Sequence, residues 1–463
     1  LIDNAQNKNQ NSSFMVYNRL KTTKDEQGTA SSILGIPGIT RQQIEKLIFV
    51  TSKDEIKGTQ IDVSAMEDES ITAGYVDSDK NGKYELYIGS DEKIYANIDS
   101  SYLFANIGIQ QIDGFENLNT LNVKNMANMF YNDSKINSLK FGAKFYTNEV
   151  TDMQGMFNGC SSLKTLDFGT LFDTSKVTNM SNMFNNCSSL TKIDFKDLFN
   201  TQNVTTMKNM FNNCTKLTTL NLGSNFNTVK VTTMESMFNN CNTLVSIDLG
   251  TKFNTQNVES MKKMFSNCTA LQSLNLGKLF NTSNVTTMES MFENNNNLET
   301  LIIGELFNTQ NVTTMEKMFS NCIKLGEIDL GEKFATDKVT TMSYMFNNCQ
   351  KLVTIDLGSK FNTIKVTDMS YMFNNCQAVK DIVFGNSFNT SNVTNMRNMF
   401  SKCKNITNLQ LPNTFYVEKV ENMTSMFEEC SKLEKLDLGI AFTKLAKQNN
   451  NFLLNSGNIG GVV

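Results

Sequence analysis

Val204-Thr-Thr-Met-Lys-Asn-Met-Phe-Asn-Asn-Cys-Thr-Lys-Leu-Thr-Thr-Leu-Asn-Leu-Gly-Ser-Asn-Phe226 is one copy of a unit that returns along most of the chain. Its Met-Phe pair stands at Met129-Phe130 and again from residues 156, 183, 210, 237, 264, 291, 318, 345, 372, 399 and 426, eleven steps of 27 residues without an insertion or deletion. A fixed period of this size marks a solenoid, in which units stack and only the stack buries a core. Inside the unit the apolar residues follow two rhythms. Val204, Met207, Met210, Phe211 and Cys214 step by three or four, the spacing of one face of a short helix. Leu220 and Leu222 alternate, as in a strand with one buried face. Thr232-Thr-Met-Glu235, Thr286-Thr-Met-Glu289 and Thr313-Thr-Met-Glu316 read as capping boxes at helix starts. The expected fold class is α/β: a solenoid with a long parallel sheet on one face and short helices on the opposite face.

The repeats can be compared column by column. The Leu after Cys-x-x becomes Val379 and Ile406, residues of similar volume. Phe145, Phe172, Phe199, Phe226, Phe253 and their successors through Phe442 hold another corner in all twelve units. The Gly column departs at Lys196 and Pro412. Because proline fixes a negative φ, the glycines are expected to serve a compact turn rather than a left-handed backbone. All ten cysteines share one column, completed by Asp133 and Asn295. Parallel Cβ vectors disfavour a disulfide between neighbouring rungs, so the column is expected to hold reduced, buried thiols rather than a redox relay or metal stripe.

With 463 residues and a net charge of −4, the chain has length for a solenoid plus a cap and shows no basic stripe. Nucleic acid is therefore not an expected partner. No apolar run is long enough to span a bilayer, so no transmembrane segment is expected. The chain begins at Leu1 rather than Met, which allows for a targeting or anchoring segment upstream. Histidine is absent, which removes Ser-His-Asp and Cys-His catalysis and most zinc sites.

The unit Cys-x-x-Leu-x-x-Leu-x-Leu-Gly-x-x-Phe, followed by Val-Thr-x-Met-x-x-Met-Phe-x-x-Cys, resembles the bacterial-surface leucine-rich repeats of the BspA-like type over about residues 116 to 440. Upstream, Ile61-Asp-Val-Ser64, Tyr84-Glu-Leu-Tyr-Ile-Gly89, Lys93-Ile-Tyr-Ala-Asn97 and Ser100-Ser-Tyr-Leu-Phe104 look like the segment that precedes such arrays. The resemblance implies a leucine-rich-repeat fold in a secreted or wall-associated bacterial protein. Its implied partners are host, matrix or neighbouring-cell proteins or glycans. It brings no shared catalytic residues.

The expected organisation is a flexible lead-in or linker over 1–45, a small β-rich N-terminal cap over 46–115, the solenoid over 116–442 and a C-terminal cap or tail over 443–463. Strands are expected at 46–51, 71–76, 83–88 and 94–97. A cap is needed because the first coil of a solenoid exposes apolar surface. Asp77, Asp79 and Asn81, with Gly82 behind them, copy the first half of a calcium loop, but Ile88 stands where the bidentate acid belongs. A hairpin turn calls for the same residues and is the leading reading. No cofactor is expected, with calcium as the lesser alternative.

The outward side chains of the expected sheet are Lys140, Asp167, Asp194, Asn221, Asp248, Asn275, Ile302, Asp329, Asp356, Val383, Gln410 and Asp437. The six aspartates form an acidic stripe suited to a basic partner or cation, flanked by the hydroxyls of Thr165, Thr219, Ser246, Ser273, Thr300 and Thr354. A polar coating that keeps the face soluble is the plain alternative. Tyr344 and Tyr371, at one position of consecutive repeats, are candidate interface anchors or packing residues. The repeat-borne Asn-Val-Thr and Asn-Cys-Ser sequons are assigned no glycosylation. The expected function is non-enzymatic recognition or adhesion at a bacterial surface. The alternative is a structural spacer, stalk or self-associating coat.

Overall fold

A computed structural model describes residues 18–22, 32–195, 198–437 and 461–462. Phe442, Lys196, most of the expected lead-in and nearly all of the expected tail lie outside them. The chain divides into two units, Leu1–Lys176 and Val177–Val463.

The first unit opens on a five-stranded sheet built from β1 (Ile44–Phe49), β2 (Thr59–Asp62), β3 (Thr72–Val76), β4 (Tyr84–Gly89) and β6 (Ile112–Asp113), in the order β2-β3-β4-β1-β6. β5 (Ile94–Tyr95) pairs separately with β7 (Leu118–Asn119). Three of the strands expected from the sequence lie within two residues of β1, β3 and β4, and the fourth is cut short to β5. β2 escapes the pattern because Thr59 and Gln60 are exposed and offer no apolar alternation. β1 pairs in parallel with β6, Leu47 opposite Ile112. Ile112 lies 27 residues before Leu139 of β8 (Ser138–Lys140), which pairs in parallel with β9 (Thr165–Asp167). The N-terminal sheet thus hydrogen-bonds to the first strand position of the repeats. Aromatic packing runs the same way, from Phe49 against Phe104 to Phe104 on Phe130 and Phe130 on Phe157.

Arg41 is completely buried in this unit and donates from Nη1 to the carbonyls of Leu103 (3.1 Å) and Ala105 (3.0 Å). In later coils a cysteine thiol takes the carbonyl 30 residues upstream, as Cys160 takes Phe130 at 3.1 Å. Asp133 stands in the cysteine column, and the carbonyl 30 residues before it is that of Leu103. The guanidinium therefore replaces the missing thiol at the head of the column. Asp133 is also fully buried, accepts from the Ile107 amide at 2.7 Å and has an unpartnered second oxygen. Burial raises its carboxyl well above the ordinary value, with the Arg41 charge acting in the opposite direction.

In the second unit the strands are short: β10 (Thr219–Asn221), β11 (Ser246–Asp248), β12 (Ser273–Asn275), β13 (Thr300–Ile302), β14 (Thr354–Asp356), β15 (Asp381–Val383), β16 (Asn408–Gln410) and β17 (Lys435–Asp437), and from β10 to β16 each has exposed ends around a buried or, in β11, half-buried middle residue. β18 (Gly461–Val462) pairs with β17. These strands pair two by two, β10 with β11, β12 with β13 and β14 with β15, while only β16, β17 and β18 form a group of three. The long uninterrupted sheet expected on this face is not formed among the described residues. The continuous ladder lies elsewhere in the coil, as parallel bridges from Thr206 through Thr233, Ser260, Thr287, Thr314, Thr341, Asp368 and Asn395 to Asn422.

The expected helices are replaced by turns, and no α-helix occurs among the described residues. Met207, Asn209, Phe211 and Asn213 each donate their amide to the next coil, to Thr233, Glu235, Met237 and Asn239 at 2.9–3.2 Å. The alternate amides close tight turns, Met210 to the Met207 carbonyl, Asn212 to Asn209 and Cys214 to Phe211. No amide remains for a helical ladder. Asn209 and Asn213 have φ of 55° and 61°, which puts a left-handed residue third in the Met-x-x-Met and Phe-x-x-Cys turns, the arrangement of a type II turn. The capping-box residues do other work. Thr232 donates its hydroxyl to the Thr205 carbonyl, Thr233 Oγ1 accepts from the Glu235 amide, and Glu235 pairs with Lys208 at 3.2 Å.

Several side-chain columns hold the coils in register. The rings from Phe184 to Phe427 stack at 5.2–5.9 Å between neighbouring coils. Buried Thr228, Thr255, Thr282, Thr309, Thr336 and Thr363 each donate to a carbonyl of the next coil at 2.7–2.8 Å. Asn213, Asn240, Asn294, Asn321, Asn348 and Asn375 donate from Nδ2 to the Oδ1 of the asparagine 27 residues earlier at 2.6–2.7 Å, an amide ladder of the kind that stabilises stacked strands. The ten cysteines are buried thiols. Asn295 replaces one of them and donates from Nδ2 to the Phe265 carbonyl at 3.0 Å. The glycine column corrects the expectation drawn from Pro412. Gly169, Gly223, Gly250, Gly277, Gly304, Gly331, Gly358 and Gly385 all have φ between 65° and 81°. A Cβ on Gly250 would meet the Gly223 carbonyl oxygen at 2.7 Å. Pro412 is a local departure from that left-handed corner.

Candidate recognition surface

The strand face places Asp167, Asp194, Asp248, Asp329 and Asp356 at exposed positions. Asp167 belongs to the first unit and Asp194 to the second. The backbone of Asp437 ends β17. These aspartates have a local task that their exposure conceals. Asp167, Asp248, Asp329 and Asp356 each accept, through Oδ1, the amide of the left-handed glycine two residues on, at 2.9–3.0 Å. Asn221 and Asn275 do the same for Gly223 and Gly277. At these six rungs the stripe is a column of Asx turns, which explains why Asp and Asn interchange there.

One segment of this face differs. Gly326 stands where the adjacent repeats carry Glu299 and Val353, and Glu327–Asp329 forms no strand. A glycine at a strand start has more backbone entropy to lose than any other residue, which weakens pairing. Beside this lapse lies a hollow of about 970 Å³, lined among others by Glu299, Glu305, Glu327, Asp329, Glu332 and Ile302. Ile302 is 50% exposed, at a position where most rungs carry Asp or Asn. The face here combines an apolar projection with five carboxylates, and Lys333 is the basic residue lining the hollow. The sequence marked Ile302 and Asp329, but the four glutamates were missed, since each looked like an ordinary exposed repeat residue. The substitution at Gly326 was the available signal.

Tyr344 and Tyr371 lie on the turn side, both half-buried. Their rings stack with centroids 4.5 Å apart and planes within 6°. Lys317 Nζ is 5.9 Å from the Tyr344 centroid, and Arg397 Cζ is 5.9 Å from that of Tyr371. Burial raises the Tyr344 hydroxyl, aided by Tyr371.

Asp77, Asp79 and Asn81 occupy the connection from β3 to β4. Asp77 accepts the amides of Asn81 and Gly82, both at 3.0 Å, and Asp79 accepts from Asn81 Nδ2 at 2.8 Å. The oxygens thus serve the loop's own amides. Among the described residues no group of three or more His, Cys, Asp or Glu is gathered to hold an ion. Millimolar calcium is expected to leave the melting temperature unchanged; a rise of several degrees would make the loop a calcium site. Burial pushes the thiols of Cys160, Cys214, Cys268, Cys349 and Cys403 up, and those of Cys241, Cys322, Cys376 and Cys430 to about 12, which removes the thiolate a nucleophile needs. No helix of the described residues is long and apolar enough to cross a membrane.

Parallel strand pairs and stacked columns repeating every 27 residues define a repeat solenoid. The chain belongs to the family described as "Mycoplasma protein of unknown function, DUF285", which matches residues 98–197, 194–278, 272–383 and 353–455, more than three quarters of its length. No curated protein matches it. Among solved structures, a leucine-rich repeat protein from Eubacterium ventriosum shares 13% identity over 79% of this chain and 86% of that one, with a TM-score of 0.27. The functional domain of InlJ from Listeria monocytogenes, which includes a cysteine ladder, shares 14% identity over 66% of each chain, with a TM-score of 0.15.

Proposed function

We propose that the chain is a non-catalytic recognition protein, secreted or displayed at a bacterial surface, that binds a protein of a host, matrix or neighbouring cell through its repeat coils. The observation that carries this reading is the hollow beside Ile302. An exposed apolar side chain within a ring of carboxylates suits a basic segment with an apolar anchor, and concave repeat surfaces commonly serve binding. The resemblance to BspA-like surface repeats supports the location. Within the acidic stripe the reading favours Asp329 and Asp356, the latter on the next rung; Asp167 and Asp248 keep their Asx-turn role.

The test is a binding screen of the purified chain against matrix proteins and lysine-rich peptides at physiological salt. Ile302→Asp is expected to weaken a saturable hit at least tenfold, about 1.4 kcal/mol. Neutralising Glu299, Glu327 and Glu332 to Gln should slow association and flatten its salt dependence. Undiminished binding by both variants would refute this site. The near-identity of the coils favours a second reading, a spacer or self-associating coat, which a blank screen with concentration-dependent self-association would support.

A further inference from the structure

Tyr344 and Tyr371 have φ of 58° and 57°, at a turn position filled in other coils of the same unit by Asn182, Asn209, Ser236, Lys263, Ser290, Lys317, Asn398 and Ser425. A left-handed backbone is a poor place for a bulky ring and a tolerable one for asparagine. Two successive tyrosines there are not explained by backbone stability. Along the coils the order is Lys317, Tyr344, Tyr371, Arg397, so the ring faces are taken up by each other and by the two cations. What remains open is a row of ring edges and phenolic hydroxyls between an ammonium and a guanidinium.

Arg397 is the single arginine of the repeat coils. Arg19 and Arg41 donate to backbone carbonyls. Arg397 uses Nε on Asn398 Oδ1 at 3.3 Å, leaving its terminal nitrogens as an exposed fork. Nearby acids are committed. Asp368 accepts from the Ser370 amide at 2.8 Å and from Asn395 Nδ2 at 3.3 Å, and Glu316 pairs with Lys317 at 3.4 Å. The arginine end is therefore the stronger anion seat.

We propose that the row made by Lys317, Tyr344 and Tyr371 of this column, with Arg397 just before its next residue Asn398, binds an anionic polysaccharide bearing carboxylate or sulfate groups. The site lies on the turn side, away from the strand-face hollow at Ile302, and goes beyond the recognition reading above by adding a second ligand class. The guanidinium fork matches a planar anion in two hydrogen bonds, and the phenolic hydroxyls both donate to and accept from sugar hydroxyls. An extended peptide is a poorer occupant because it needs unpaired backbone groups to add a strand. Here the Tyr344 and Tyr371 amides donate to the Ser370 and Arg397 carbonyls, and the tyrosine carbonyls accept from Asn347 and Asn374. With a net charge of −4, the chain as a whole does not attract polyanions, so binding should localise to this row.

The experiment measures binding of the full chain to immobilised polygalacturonate, dextran sulfate, neutral dextran and polyglutamate at physiological salt. Saturable binding is expected to one or both of the first two polymers, which distinguishes carboxylate from sulfate, and not to dextran. Arg397→Gln and the double variant Tyr344→Asn, Tyr371→Asn should each weaken it at least tenfold, while Lys262→Gln, a cation paired on another rung, leaves it unchanged. The asparagine variant should keep its melting temperature within a few degrees, because asparagine already fills this turn elsewhere. The site is overturned if neither polymer binds, if the tyrosine variant binds like the parent, or if polyglutamate binds equally well. Should the polymers fail while matrix proteins or lysine-rich peptides bind through Ile302, this site falls and the recognition reading stands.

Discussion

Replacing Phe292 by alanine will destabilise the second unit by about 3–5 kcal/mol, among the largest effects open to a single side chain. Phe292 is fully buried and stacks on Phe265 at 5.9 Å and Phe319 at 5.6 Å. The void cannot close by bringing coils together. Their spacing is set by backbone bonds such as Phe292 N to the Met318 carbonyl at 2.9 Å, and by the Cys322 thiol on the Phe292 carbonyl at 3.3 Å. The same coil already carries a strain, since Asn295 Oδ1 is buried without a partner. Because each coil is held by its neighbours, the loss should also divide denaturant unfolding into two transitions. Phe292→Leu should cost less and keep one transition. A loss under about 1 kcal/mol for the alanine variant would show that the ring stack is not what holds the coils.

Arg41→Leu is expected to cost a similar amount, about 3–5 kcal/mol, by orphaning the Leu103 and Ala105 carbonyls and by removing the charge that offsets the burial of the Asp133 carboxyl. The pH dependence separates this from a simple packing defect. Asp133 has a raised value in the folded chain, so the fold binds the proton more tightly than the unfolded chain does. The associated stability is present at acid pH and is lost as pH climbs from the ordinary carboxylate value to the raised one. Removing the Arg41 charge raises the carboxyl further. The deficit of Arg41→Leu should therefore be smaller in mildly acidic than in mildly alkaline buffer, measured by chemical denaturation. Asp133→Asn in the Arg41→Leu background should erase that slope; a pH-independent deficit would remove Asp133 from the account.

The period, the buried columns and the strand at Leu220 were legible because burial leaves apolar residues at fixed spacing. The helix was misread for a physical reason. Successive four-residue turns also place apolar residues three and four apart, so Met207, Met210, Phe211 and Cys214 fit both. Asparagine was the deciding signal, since the Asn213 column keeps it in most coils where a turn needs a left-handed residue. Pro412 misled in the opposite direction, since the glycine column is left-handed at every described glycine from Gly169 to Gly385, with Gly142 and Pro412 as departures at its two ends. At the candidate surfaces, the aspartates were visible but not their bond to the glycine two residues on. The Ile302 hollow depends on a pairing lapse, and the Arg41 cap on residues far apart in sequence. Neither leaves a periodic trace.

The unbroken 27-residue register of the columns has one more consequence. A stretch of one whole period, lost or duplicated anywhere within the run, rejoins Phe to Phe, Thr to Thr and Cys to Cys, with each turn meeting its like. Length is then a variable that heredity can adjust in whole steps without inventing a new core. The residues that break the pattern, Ile302, Tyr344, Tyr371 and Arg397, are shifted relative to one another only when the change falls between them. Such a molecule can change its length while keeping these residues at their places in the coil.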